Sequence, residues 1–182
     1  MSKTSTRNMF IALVCALVLC TGVLFGCASN GSSSSSASSS AASSSSSSTE
    51  AEEAEMQYIT PADLMEKIDA KDADLLIVDV RKTADYDEGH IEGAISADMD
   101  KAKDGDLEDG EATMREALEK ATDSDTAEGK TIVLVCYSGK AYAQAGTDVL
   151  KAIGADMENV YTLEGGMKAW EEEYPDSLVK SE

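Results

Sequence analysis

The chain is poor in the residues that most often announce a function. It has one histidine, His90, and one tryptophan, Trp170, in 182 residues, and beyond Cys27 a single cysteine, Cys136. One thiol in the folded part excludes an internal disulfide framework. No Asp or Glu precedes Glu50. Lys3 and Arg7 take up two of the 15 cations, so the other 13 face all 35 acids. Such an acidic surface excludes nucleic acid as an expected partner. It also repels anionic lipid head groups, so any membrane attachment must come from an anchor and not from the domain surface. There is no internal repeat.

What is present begins with a leader. Residues 1–8 include Lys3 and Arg7 and no acid, and residues 9–25 are an almost unbroken apolar run, the basic and apolar regions of an export signal. Residues 1–26 are expected to be a signal peptide ending at Leu24-Phe25-Gly26-Cys27. This tetrapeptide resembles the lipobox of bacterial lipoproteins, which implies lipid attachment at Cys27, although Phe25 is bulkier than usual there. The alternative is an uncleaved signal anchor, for which an apolar run of about 17 residues is the lower limit. Either reading anchors the protein at the cell membrane with its domain outside the cytoplasm, in the periplasm or on the extracellular face. Residues 27–55 are nearly all Ser and Ala, then acidic; they cannot bury apolar surface and are expected to form a disordered tether with a coil reach of roughly 30 Å.

Residues 56–182 are expected to form one domain. Thr60-Pro61 reads as an N-cap with Pro at the first helical position, opening a helix to about residue 70. Residues 75–80 are a continuous apolar run of the kind buried in a parallel sheet. Ala94-Ile95 is a weak strand, and the Asp-, Lys- and Gly-rich stretch after it reads as a surface loop. Residues 111–121 are an amphipathic helix with Met114, Ala117, Leu118 and Ala121 on one face. Residues 131–135 are the strongest strand, and it ends at Cys136. Residues 142–153 form a helix closed by Gly154. Residues 159–162 are a last strand, followed by the turn Gly165-Gly166 and a helix with Trp170 in the core. Strands alternating with helices predict an α/β fold with right-handed crossovers and a mostly parallel sheet covered on both faces.

The chemistry concentrates in Cys136-Tyr137-Ser138-Gly139-Lys140-Ala141-Tyr142. A thiol at the carboxyl end of a central strand, in a short loop opening onto a helix, occupies the place where open α/β sheets bind ligands. Successive amides of the loop, with Gly139 free to take positive φ, form an anion cradle, and the helix amino terminus adds partial positive charge. Both favour a thiolate.

The order Leu76-Ile77-Val78-Asp79-Val80-Arg81, Tyr86 with Gly89-His90-Ile91, Cys136 with Ser138-Gly139, and Leu163-Glu164-Gly165-Gly166 with Trp170 resembles a single-domain rhodanese over residues 57 to 174. The resemblance implies a three-layer fold with a central, mostly parallel five-stranded sheet. It implies a sulfurtransferase or sulfur carrier in which Cys136 takes sulfane sulfur from a small donor, such as thiosulfate, a polysulfide or a persulfide. Cys136 would hold it as a persulfide and pass it to a thiol or cyanide, with no cofactor and no metal. It implies binding of the persulfide by the amides of Tyr137, Ser138, Gly139, Lys140, Ala141 and Tyr142. Asp79 and Arg81 would lie at the rim, with Arg81 paired to Asp85 or facing the donor. A monomer is expected. The alternative class is a non-catalytic binding module that uses the same cradle to hold an anion or a partner protein.

The loop departs from the family in having Ala141 where active members often have Arg, and Lys140 supplies a point charge but no bidentate fork. Thiosulfate, a dianion, is thus a poorer expected donor than a polysulfide or small persulfide. Cysteine phosphatases of related fold need Arg six residues after the Cys to clamp phosphate; Tyr142 stands there, which argues against that activity. His90 in Gly-His-Ile is expected to pack a turn and not to act as a base.

Overall fold

The apolar runs become seven short strands in the computed structural model, which describes residues 53–181. The expected signal peptide, Cys27 and nearly all of the tether lie outside the described residues. The strands are β1 (Tyr58–Ile59), β2 (Leu75–Asp79), β3 (His90–Ile91), β4 (Ile95–Ser96), β5 (Thr131–Val135), β6 (Val160–Leu163) and β7 (Leu178–Val179). Five of them form one sheet in the order β1-β6-β5-β2-β4, with every pairing parallel. The two longest, β2 and β5, are neighbours at its centre, in register from Leu75 opposite Thr131 to Asp79 opposite Val135. The remaining two, β3 and β7, make a separate antiparallel ribbon that the sequence did not announce.

Period-two alternation along β2 and β5 divides the core into two layers. Leu76, Val78, Ile132 and Leu134 face one side, against Met114, Leu118, Val149 and Leu150. Ile77, Val133 and Val135 face the other, against Leu64, Met167 and Trp170. The helices that provide those residues are α4 (Leu107–Thr122) and α5 (Ala141–Ile153) on the first face, and α1 (Pro61–Asp69) and α6 (Gly166–Glu173) on the second. Both faces of the sheet are thus covered, as its continuous apolar strands require. Two short helices lie in the connections, α2 (Thr83–Glu88) after β2 and α3 (Asp100–Lys103) after β4.

Local chemistry fixes the helix ends. The Thr60 hydroxyl oxygen accepts the Asp63 N–H at 3.1 Å, with Pro61 following it at the start of α1. Gly154 closes α5 in the left-handed conformation at φ 86°. The stretch after Ala94 corrects the sequence reading, because it is not a loop throughout. It holds α3, and α4 begins at Leu107, four residues before the expected start. The Asp106 carboxylate caps α4 by accepting the Asp109 N–H at 3.2 Å. Gly110, which argued for a loop, is buried inside α4 because a β-carbon there would lie 2.6 Å from Ala102 Cβ and 3.0 Å from Val149 Cγ2. Close packing of α4 on α3 and α5 overrides its low helix propensity.

Where the chain enters the domain, Ala54 is pinned to α5. The Ala54 N–H donates to Asp148 at 2.6 Å, and Gln144 Nε2 donates to the Ala54 carbonyl at 2.8 Å. Among the described residues no helix is long and apolar enough to cross a membrane.

Candidate active site around Cys136

Strand β5 ends at Val135, and the loop 136–140 leads straight into α5. Cys136 is 2% exposed, and its Sγ accepts the Gly139 N–H at 3.2 Å. That bond requires the loop to curl back on itself, which Gly139 permits at φ 68°. A β-carbon at Gly139 would also lie 2.8 Å from the Leu163 carbonyl oxygen. The underside of the loop therefore rests directly on backbone, at the end of β6.

That support is the Gly165-Gly166 turn. Both residues are left-handed, at φ 71° and 60°. The Met167 N–H then donates to the Cys136 carbonyl at 2.7 Å, and the Lys168 N–H to the Tyr137 carbonyl at 3.2 Å. The first turn of α6 thus spends its amides, which have no partner within the helix, on the Cys loop. The sequence marked this turn but did not reveal that it docks the Cys loop.

The start of α5 has no side-chain cap, for Lys140 occupies that position without making one. An uncapped helix start offers amide donors and partial positive charge to an anion held at the loop. Ser138, Lys140 and Ala141 are exposed, and Tyr137 and Tyr142 are half-buried. The Lys140 ammonium pairs with no carboxylate among the described residues.

The two tyrosines flank the loop and meet edge to face, with centroids 5.0 Å apart. The Tyr137 hydroxyl donates to the Asp85 carboxylate and accepts the Lys82 N–H at 3.3 Å. The Tyr142 hydroxyl donates to Asp100 Oδ1 at 2.5 Å, and Lys82 Nζ lies 3.3 Å from the other oxygen of Asp100. Burial, and then the bond to Asp85, push the Tyr137 phenol up to about 12. Burial and the Asp100 bond move Tyr142 in the same direction, while the Tyr142 bond draws the Asp100 carboxyl below its usual range. Asp100 and Lys82 were not among the residues singled out by sequence, and Asp85 entered only as a partner for Arg81, because nothing in their spacing ties them to tyrosines some 40 to 55 positions away.

Asp79 and Arg81 call for a correction. Asp79 is fully buried and Arg81 is 6% exposed. Arg81 Nε and Nη2 fork onto the Asp79 carboxylate at 3.0 and 2.7 Å, and Nη2 also donates to the Gly89 carbonyl at 2.7 Å. Arg81 therefore pairs with Asp79 and not with Asp85, and neither residue is presented to a donor at the rim. The bonds to Asp79 outweigh the burial that disfavours the charge, so the guanidinium lies above its ordinary value. The pair ties the end of β2 to the turn before β3 and lies beneath the Cys loop, with the guanidinium carbon 5.9 Å from the Tyr137 ring centroid. His90 packs as expected of a structural residue: its ring stacks on Tyr86 at 3.8 Å, and Nδ1 lies 2.8 Å from the Tyr86 carbonyl.

A separate groove of about 490 Å3 runs between Tyr86, Ile95, Asp98 and the α4 residues Glu116 and Ala117, with no residue of the Cys loop in its lining.

The model of the rhodanese-like domain family matches residues 60–173, and the chain belongs to that family. Solved structures share the fold at low identity. A Bacillus halodurans protein is 22% identical, covering 68% of this chain and 77% of its own, with a TM-score of 0.52. The rhodanese-like domain of an Anabaena protein is 20% identical, covering 70% and 81%, with a TM-score of 0.51. The As-Sb reductase of Leishmania major is 24% identical, covering 70% and 88%, with a TM-score of 0.50. No curated protein gives a significant match.

Proposed function

We propose that the protein is an extracytoplasmic sulfurtransferase or sulfur carrier that moves sulfane sulfur through a persulfide on Cys136. The observation behind this reading is the loop: a thiol at the end of the central strand, its Sγ bonded to the Gly139 amide, before an uncapped helix start. A persulfide anion extending from Sγ would gain the same amides and the same helix charge. The chemistry balances without an oxidant. The Cys136 thiolate attacks the outer sulfur of a donor, the new S–S bond forms as the donor's bond breaks, and the donor leaves with that electron pair. An acceptor thiolate or cyanide then removes the outer sulfur and returns the thiolate.

Membrane attachment through a lipid on Cys27 completes the proposal and rests on the leader sequence alone. Mass spectrometry of the domain exposed to polysulfide or thiosulfate tests the chemistry. The expected result is a 32 Da adduct on Cys136, about the mass of one sulfur, removed by cyanide and missing in Cys136→Ser. A thiol inert at pH 8 would sink the proposal. It would favour the second reading, a binding module, which draws support from the 2% exposure of Cys136. Radiolabelled palmitate incorporated by the full chain but not by Cys27→Ala tests the anchor.

A further inference from the structure

The Cys loop is held from two directions. Beneath it, the Met167 and Lys168 amides take the Cys136 and Tyr137 carbonyls. At its side, the phenols reach two other connections of the sheet: Tyr137 meets Asp85 and the Lys82 amide after β2, and Tyr142 meets Asp100 after β4. That lateral hold depends on where those partners are kept, and one side chain joins both segments. Asp98 Oδ2 accepts the Thr83 N–H at 3.1 Å, and Asp98 Oδ1 accepts the Asp100 N–H at 2.9 Å. Thr83 opens α2, whose N-cap residue Lys82 makes no side-chain bond, so Asp98 caps that helix from a separate segment. Asp98 is itself fixed from both neighbours. The Ala97 N–H donates to the Asp79 carbonyl at 2.9 Å and the Met99 N–H to the Val80 carbonyl at 3.3 Å, and both residues are buried. The Lys82 ammonium, 3.3 Å from Asp100, is a second but exposed link between the same segments, and contributes less.

Resting on the sulfur-carrier reading, we infer that Asp98 is a positioning residue for sulfur transfer: it locks the starts of α2 and α3 together, and through them the two tyrosines that set the loop. Its carboxylate bonds to Thr83 and Asp100, so it acts through the phenols and not on the thiol. The step it serves is the attack of the Cys136 thiolate on the donor's outer sulfur. There the new S–S bond forms as the donor's bond breaks, and the donor leaves with that electron pair. The loop amides must keep their direction while that charge moves. Donors held ready for a transition state act on the maximal rate more than on the concentration that half-saturates it.

The test is a rate cycle in the full chain. Quenched-flow mass spectrometry follows the sulfur adduct on Cys136 in a single turnover with excess inorganic polysulfide, a first-order rate that does not depend on how much of a preparation is folded. Asp98→Asn keeps the size and one acceptor oxygen, and is expected to lower the saturating rate constant about tenfold while half-saturation moves less than about twofold. Thr83→Pro leaves Asp98 in place and deletes the amide it accepts, at a first helical position that favours proline after a Lys82 backbone, φ −58° and ψ 140°, that tolerates it. It should show the same loss. In a Tyr137→Phe/Tyr142→Phe background, Asp98→Asn is expected to cost less than about twofold more, because its route to the loop is already cut. Losses that multiply in that background, a loss carried by half-saturation alone, or full rates in Asp98→Asn and Thr83→Pro each overturn the positioning role and leave the carrier reading intact. The absence of an adduct on wild-type Cys136 removes the carrier reading, and the positioning role with it.

Discussion

Gly166 touches Cys136 through backbone alone: a β-carbon at Gly166 would sit 2.3 Å from the Cys136 carbonyl oxygen and 2.6 Å from the Ser138 nitrogen. The distance is shorter than any side chain tolerates, and φ there is 60°. Gly166→Ala is expected to cost roughly 2–4 kcal/mol by combined clash and strain. It should also displace the loop that holds the thiol. Urea denaturation reads the first effect, and a changed alkylation rate of Cys136 in the folded protein reads the second.

The buried fork of Arg81 on Asp79 predicts a non-additive pair. Either Arg81→Met or Asp79→Leu alone strands a buried partner and is expected to cost roughly 3–5 kcal/mol. The double variant leaves no buried charge unpaired, stranding only the Gly89 carbonyl and the Arg81 backbone N–H that Asp79 accepts at 3.0 Å, and should cost less than the sum of the singles. A double-mutant cycle from denaturation midpoints measures it; strict additivity would show that the two side chains do not interact.

Tyr137 predicts an alkaline limit. Its phenol titrates near 10 in the unfolded chain and is held up to about 12 in the fold. The folded state therefore keeps its proton where the unfolded state loses it, so this contribution is fully present below pH 10 and is lost as pH rises through about 12. Tyr137→Phe should flatten stability against pH over that window, as followed by thermal melting from pH 8 to 12. An equally steep decline in the variant would remove Tyr137 as its source.

Ala141 is exposed at the start of α5, where Ala141→Arg can place a guanidinium without disturbing the core. A planar fork suits the oxygens of thiosulfate better than the point charge of Lys140. The expected gain in kcat/KM for thiosulfate is on the order of tenfold. No gain would mean that the absence of this arginine is not what limits thiosulfate use.

Much of this was legible because it depends on near neighbours in sequence. The apolar β2 and β5 positions, the Thr60 cap, Gly154 and the Cys136 loop all follow from period, propensity or turn chemistry over a few residues. What escaped was set by distant packing. Gly110 looks like a helix breaker until Ala102 and Val149 press against it. Leu178 and Val179 look like a tail until they pair with Ile91 and His90. Arg81 has several acids within reach along the chain, and only burial selects Asp79. The ring of Asp85, Asp100 and Lys82 exists because parallel strands bring the ends of separate connections to one edge of the sheet.

The strand order has a consequence in time. β1 is held to the sheet through β6, with Tyr58 opposite Thr162 and Ile59 opposite Leu163. A chain made from its amino end therefore keeps β1 waiting through about a hundred residues before β6, its partner among the described strands, exists. Pairings at such separation form late and slowly. Until β6 is made, Ile59 has no strand to pair with and its apolar side chain no sheet to cover it.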